Sequence, residues 1–293
     1  MKYCLAIDIG ASSGRHILAH LEGGKPVLEE IYRFDNGYVE KNGRFYWGVD
    51  RLFENVVNGI KKCAEIGKIP ESIGIDTWGV DYALLDENGK IIDGVIAYRD
   101  PRTEKIPEEV YKTVSKRELY EHTGIAEHTF NTIFQLFEDK KSGRLSCAAD
   151  MLFIPCYLNY LLTGVKMNEY TFASTTGLLD VAKRDWDFEI IKKLGLPEKI
   201  FSKIYQPGEV VGTLKKEIAG FECKVILPPC HDTASAVVAV QNHEALWISS
   251  GTWSLIGTEL DTPCVSVGAE AAGFTNEGGL DGRIRFLQNI MGL

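Results

Sequence analysis

Residues able to do phosphate and sugar chemistry recur in this chain where strand-like runs stop. The first such place is Ala6-Ile7-Asp8-Ile9-Gly10-Ala11-Ser12-Ser13-Gly14-Arg15. An apolar run delivers Asp8 to its end, and a turn of small residues follows. Small residues let backbone amides approach phosphate oxygens, Ser12 and Ser13 add hydroxyl donors, and Arg15 adds charge. Asp8 is placed to orient a hydrated Mg²⁺ beside those phosphates. The segment is neither a P-loop nor a GxGxxG fingerprint, so two common nucleotide folds lose support. The plain alternative is a hairpin turn with a solubilising Asp.

A similar turn lies at Ile248-Ser249-Ser250-Gly251-Thr252-Trp253-Ser254-Leu255-Ile256-Gly257. Two such hairpins could grip a triphosphate from both sides, although Ser, Gly and Thr are ordinary turn residues. Between them, Pro228-Pro229 stops a strand and His231-Asp232 opens a small-residue helix that continues through Thr233, Ala234 and Ser235. A carboxylate at that place feels the helix dipole, which keeps it ionised, and it can accept a hydroxyl proton in phosphoryl transfer. The competing reading makes Asp232 a helix cap. Gly74-Ile75-Asp76-Thr77-Trp78-Gly79-Val80-Asp81 combines an aromatic ring with carboxylates, the pairing sugar sites use. Arg99 and Asp100 supply charges in a nearby loop, or form a surface ion pair. Trp47 and Trp186 read as core.

Positioning these residues takes an α/β framework. Tyr3–Ile9, His16–Leu21 and Val27–Phe34 read as strands, punctuated by Gly10 and Gly23-Gly24. Asp50 reads as a helix cap before Leu52, Phe53, Val56, Val57 and Ile60 at helical spacing. Ser72–Asp76 and Val80–Asp86 read as further strands, so a mixed sheet with a crossover helix is expected. From Pro107 to about Leu196 the pattern is mainly helical, with apolar stripes at Ile133–Phe137 and Tyr157–Leu162. Strands return at Val210–Thr213, Lys224–Leu227, Ala245–Ser249 and Trp253–Gly257, around a helix over His231–Val240.

The chain has 293 residues and a formal net charge of −9, with 45% hydrophobic residues. A chain of this size buries roughly three quarters of its unfolded surface. The apolar content excludes disorder, and the acidic balance argues against coating nucleic acid. The start lacks the features of a secretory signal, and nothing approaches the roughly 18 apolar residues of a membrane span. The seven cysteines are scattered without a CxxC, which suggests reduced core thiols. A soluble cytoplasmic protein is expected, as a monomer or homodimer. The apolar ending suggests that a second domain is truncated.

Taken together, Asp8–Arg15, Gly74–Asp81, Tyr98-Arg99-Asp100 with Arg102-Thr103, Cys230–Ala236 and Ser249–Ser254 resemble the FGGY carbohydrate kinases of the actin-like ATPase superfamily, in the family's order. The resemblance runs from residue 3 to the last residue. Its Asp-Thr-Trp-Gly-Val-Asp and Gly-Thr-Trp-Ser segments are far more specific than the phosphate turn. It implies two RNase H-like domains, α/β with a mixed sheet and helical insert: 1–244 complete and 245–293 the start of the second. It implies ATP and Mg²⁺ as cofactors, with Ala11, Ser12, Ser13, Gly14, Arg15 and Thr252 at ATP and Asp8 at the metal through water. Gly79, His231, Asp232, Thr233 and Asn289 would contact a ketose, with Asp232 as proton acceptor. The implied reaction moves the γ-phosphoryl of ATP to the C1 hydroxyl of L-rhamnulose. Another ketose or polyol, such as L-fuculose, L-xylulose or glycerol, remains a rival, as does a non-catalytic sugar- or nucleotide-binding fragment. The family's Gly-rich adenosine-binding segment is not found in this chain, so weak or no turnover is expected of it alone.

Overall fold

The computed structural model describes residues 1–251 and 254–290. Its first strands are β1 (Tyr3–Ile9), β2 (Ser13–Glu22) and β3 (Lys25–Asp35), an antiparallel meander. Then come β4 (Tyr38–Lys41) and β5 (Arg44–Trp47), helix α1 (Val49–Glu65), β6 (Pro70–Thr77) and β7 (Tyr82–Leu85). β6 lies parallel to β1, which requires the crossover that α1 supplies. Strands Lys224–Ile226 and Val210–Thr213 extend the sheet beyond β6. The order is therefore Val210–Thr213, Lys224–Ile226, β6, β1, β2, β3.

Alternation along β1 buries Leu5, Ile7 and Ile9, and β6 adds Ile73 and Ile75. α1 covers them with Leu52, Val56, Ile60 and Cys63. Its cap position is Gly48, not Asp50; the Asp lies in the first turn, where it complements the helix dipole without capping. Gly59 is required here because a Cβ would stand 2.3 Å from the His16 ring. His16 is buried, places Nε2 3.2 Å from the Val56 carbonyl oxygen, and burial pushes its pKa down to about 4.

Two expected elements sit differently. β7 does not join the main sheet; after Val80, at φ +64°, the chain turns out and β7 pairs antiparallel with Asp150–Phe153. β4 and β5 form an unforeseen hairpin extended by Val95–Ile96, and it carries Trp47 inward. The helical insert is as expected in outline: Lys116–Thr123, Thr132–Lys141, Ile154–Thr163 and Phe188–Lys193 are helices, and both apolar stripes face the core, with Phe137, Tyr160 and Leu161 half-buried at its margin.

Asp81 ties these parts together. Its carboxylate is fully buried and accepts from Trp47 Nε1 (2.6 Å), Trp78 Nε1 (2.9 Å), Gln135 Nε2 (3.2 Å) and the Tyr98 amide (3.2 Å). Gln135 in turn accepts from Arg102, so the insert's helix relays a positive charge toward Asp81. Burial raises the Asp81 pKa to about 6 against the pull of those donors. Trp78 and Asp81 are therefore a structural hub and not an open sugar wall. Asp100, likewise buried, pairs with Arg44 and accepts from the Phe45 and Arg102 amides, while Arg99 bonds the Tyr98 hydroxyl. The surface Arg99–Asp100 pair does not form, because the loop folds Asp100 inward.

A second sheet, wholly antiparallel, runs Trp247–Ser250, Ser254–Leu260, Ile284–Ile290, Phe274–Gly278. The last two strands were not foreseen. Cysteines are all free; Cys63, Cys156, Cys223 and Cys230 are core thiols, whereas Cys4 and Cys147 are exposed.

Two stability predictions follow from the buried polar groups. The His16 pKa is lower folded than unfolded, so its contribution is complete above pH 6.5 and lost as pH falls toward about 4. Relative to His16→Gln, the unaltered chain should lose up to about 3 kcal/mol across that window in denaturant titrations; a pH-independent difference would refute this. Asp81→Asn turns an amide toward indole donors and should cost about 1–3 kcal/mol per unpaired donor, with altered tryptophan fluorescence. An unchanged melting temperature would contradict the hub.

Candidate functional site

The carboxyl ends of three adjacent strands converge. The parallel register sets Asp8 beside Asp76, and Thr77 continues the alignment by bridging His231, where the chain leaves Lys224–Ile226. The Thr77 amide donates to the Cys230 carbonyl at 3.0 Å, and the Trp78 amide donates to Ile9 at 3.2 Å. Pro228 and Pro229 end the third strand, and helix Asp232–Val237 begins. That helix packs on β6 and on Trp247–Ser250, between the two sheets.

Three carboxylates thus share one sheet end. Asp76 is buried, and its pKa is raised well above the usual carboxylate range by burial, by the charges of Asp8 and Asp232 and by a hydrogen bond with Asp8, against a hydrogen bond with Ser235. Arg15 lies opposite Asp8 in the β1–β2 register and turns back onto it: Nε and Nη2 reach Oδ2 at 2.9 and 2.7 Å. Asp232 occupies the first helical position, with His231 at the cap position and no capping side chain. The cap alternative for Asp232 therefore fails. Its Oδ1 accepts the Thr233 amide at 2.6 Å and lies 3.3 Å from His231 Nε2. Burial and Asp8 push the Asp232 pKa upward, with His231 and the Thr233 amide opposing. The expectation that the helix end would dominate is corrected in direction. Because 37% of the Asp232 side chain faces solvent, water screens part of that rise.

The small-residue turn is closed locally. The Gly10 amide donates to Ser13 at 2.9 Å, the Asn36 amide to Ser12 at 2.9 Å, and Asn36 Nδ2 to the Gly10 carbonyl at 2.8 Å. Gly14 must be glycine, since a Cβ would strike the Phe34 ring at 2.2 Å. Ser12 is exposed, with Ala11 and Ser13 half-buried beside it. Gly79 lies against His231: a Cβ there would come 3.2 Å from Nε2. Thr233 is buried behind Asp232. Thr252 lies outside the described residues; its flanks, Ser250 and Ser254, pair across the hairpin.

Asn289 stands apart. Its Nδ2 is 3.1 Å from His128 Nε2, and His128 stacks on Phe130 with ring centroids 4.9 Å apart. Both Asn289 and His128 line a cavity of about 320 Å³ that Tyr111, Leu119 and Gln288 also line, whereas Gly79, His231 and Asp232 do not. Glu277 Oε2 lies 3.3 Å from His231 Nδ1.

Asp76 has no role of its own in the sequence beyond the carboxylates of its segment. Its signal was the repeat of Ile-Asp in Ile7-Asp8 and Ile75-Asp76, two equivalent strand ends. Among the described residues, the group with metal-ligand spacing is Glu118, His122 and Glu189. Lys193 bridges the two glutamates at 2.7 Å and His122 bonds Asp187, so ion pairs account for it. Among the described residues, no helix is long and apolar enough to cross a membrane.

Comparison with known proteins agrees with this arrangement. Residues 3–239 match the N-terminal domain of the FGGY family of carbohydrate kinases. The chain is 48% identical to a rhamnulokinase of Oceanobacillus iheyensis and 49% identical to one of Halalkalibacterium halodurans, each over 100% of this chain and 64% of that protein. A Bacillus subtilis rhamnulokinase is 42% identical over 98% of this chain and 60% of its own length. The chain therefore spans less than two thirds of these relatives. Among solved structures, a xylulose kinase from Lactobacillus acidophilus superposes with TM-score 0.85 at 21% identity, covering 98% of this chain and 59% of that one. Plasmodium falciparum glycerol kinase superposes with TM-score 0.81 at 18% identity, covering 99% and 61%. The fold is the actin-like ATPase fold, and its mixed sheet with helical insert is as the motifs implied. With the family matched over most of its length and its strand-end motifs gathered at one sheet end, the chain belongs to the FGGY family of carbohydrate kinases.

Proposed function

We propose that the chain is the amino-terminal part of a kinase that transfers the γ-phosphoryl of ATP to the C1 hydroxyl of L-rhamnulose. Residues 1–244 would form its first domain and 245–293 the beginning of its second. The observation that carries this reading is the placement of Asp232, a carboxylate of raised pKa open to solvent, at the sheet end that also holds Asp8 and the Ala11–Arg15 turn. The identity to proteins named rhamnulokinase supports the choice of sugar.

In this reading Ala11, Ser12, Ser13, Gly14 and Arg15 face the phosphates of ATP from one side, and Thr252 from the other. Gly79, His231 and Thr233 orient the ketose; Asn289, expected beside them, lines the cavity that holds His128 instead. The raised pKa makes Asp232 a stronger proton acceptor. Its Oδ1 is engaged by the Thr233 amide, which leaves Oδ2 to take the C1 hydroxyl proton. The sugar oxygen then bonds the γ-phosphorus as the bridging P–O bond breaks, and ADP departs with that electron pair. Asp8, Asp76 and Asp232 share the sheet end without the spacing of direct metal ligands, so a magnesium ion would be held there through water; burial and the charges of Asp8 and Asp232 raise the Asp76 pKa. Asp8 would hold the ion through water, and bound Mg²⁺ supplies charge neutralisation at the phosphate oxygens.

In the complete protein, Asp232→Asn should keep sugar affinity and lower kcat by about 10²–10⁴. Unchanged turnover would remove the base. The unaltered enzyme should show its highest kcat/KM with L-rhamnulose among L-rhamnulose, L-fuculose, D-xylulose and glycerol; a preference for another of these reassigns the substrate. Arg15→Ala should raise KM for ATP more than KM for sugar, and the reverse pattern would mean that the first turn has been misread.

A further inference from the structure

Two prolines precede the helix that carries Asp232. Pro228 and Pro229 have no N–H, so the first backbone donors after them are the amides of Cys230 and His231. One short segment of the helical insert takes both. The Cys230 amide donates to Glu169 Oε2 at 3.0 Å, and the His231 amide donates to Thr171 Oγ1 at 3.4 Å. Glu169 is fully buried. Its neighbour Asn168 is anchored in turn: the side chain accepts the Phe153 amide at 3.1 Å and donates to the Met151 carbonyl at 2.8 Å. Glu169 Oε1 accepts the Thr171 amide at 2.7 Å, while Oε2 also accepts the Phe172 amide at 3.0 Å and the Thr171 hydroxyl at 2.7 Å. Four donors thus converge on one carboxylate, which accepts at both oxygens.

We propose that Glu169, with Thr171, is a positioning residue for Asp232, holding the two backbone amides that lead into its helix. Ser, Thr, Asp and Asn are the usual residues at a helix start, and any of them would serve the four-residue helix Tyr170–Ala173 that Glu169 caps. The longer glutamate, costly to bury, holds that cap and, with the same Oε2, an amide 61 residues further on. From the opposite side the Cys230 carbonyl accepts the Thr77 amide at 3.0 Å. The peptide group between Cys230 and His231 is therefore gripped at its oxygen by β6 and at its nitrogen by the insert. Sliding the start of helix Asp232–Val237 along the sheet end would strand buried donors, each at a cost of about 1–3 kcal/mol. Phosphoryl transfer depends on positioning more than on covalent chemistry, so a proton acceptor fixed through its backbone is what the reaction requires. The catalytic half of this proposal rests on reading Asp232 as that acceptor.

Glu169→Gln keeps the volume but turns one acceptor oxygen into an NH₂ donor, so at least one of the four bonds is lost. In the complete protein it should lower kcat by about tenfold to a hundredfold with little change in KM for ATP. Added to Asp232→Asn, it should have little further effect, because the carboxylate it positions is already gone. A folded Glu169→Gln enzyme with unaltered kcat, or losses that multiply in the double variant, overturns the proposal. Should Glu169→Gln fail to fold, Thr171→Val decides: it removes only the hydroxyl and should lower kcat, with Thr171→Ser restoring it, and a folded Thr171→Val enzyme with full kcat is equally fatal. Hydrogen exchange on the chain itself reads the grip without turnover. The Cys230 and His231 amides should exchange slowly, and Thr171→Val should speed His231 while leaving the amides of β1 unchanged; rapid exchange at both amides in the unaltered chain refutes the grip. Full turnover in Asp232→Asn would instead defeat the proton-acceptor reading and leave the exchange result standing.

Discussion

One constraint governs the rest: the parallel pairing of β1 with β6 brings two aspartates side by side at the same strand end. Like charges at adjacent strand ends repel, and burial strengthens the repulsion. The chain responds by turning Arg15 back onto Asp8 and by letting the Asp76 pKa rise, so the carboxylates need not all carry charge together. Everything nearby serves that arrangement. The small-residue turn lets β2 return at once, Gly14 admits the Phe34 ring, and the Thr77–His231 bridge brings a third carboxylate into range.

A second carboxylate, Asp81, has a different task. It lies just past the turn that carries Gly79 and gathers two indoles, an amide side chain and a backbone amide. Thr132 and Gln135 of the insert also bond the Val80 carbonyl, so the turn is clamped where φ is positive. Gly79 can then present only its hydrogen to His231. Packing in the insert, remote in sequence, thereby sets how closely the ring approaches.

Local motifs were legible and cross-strand relations were not. Asp8, Gly79, His231 and Asp232 sit in short segments whose residue types announce a strand end, and those segments adjoin at one end of the sheet. Asp76 lies in one of the same segments, yet its environment depends on register with β1, which spacing along the chain does not encode. Trp78 and Asp81 carried the right residue types for an open sugar wall, but exposure is a tertiary property, and indole donors found a buried acceptor. Asp50 looked like a cap because caps favour Asp, whereas the helix begins one residue earlier, behind Gly48. Glu169 gave no signal, since its reach to the Cys230 amide, 61 residues further on, appears only once the chain is folded.

The short helix that follows Asp232 touches both sheets, and that makes it a lever. At a rise of about 1.5 Å per residue, its six residues span roughly 9 Å. Its first turn is moored to β6 through Cys230, His231 and Thr77, while its flank rests on Trp247–Ser250. A tilt of about 10° pivoting at the moored end would carry the far end by about 1.5 Å and leave the Asp232 backbone almost still. Movement of one sheet over the other can therefore be absorbed along the lever without dislodging the carboxylate at its fulcrum.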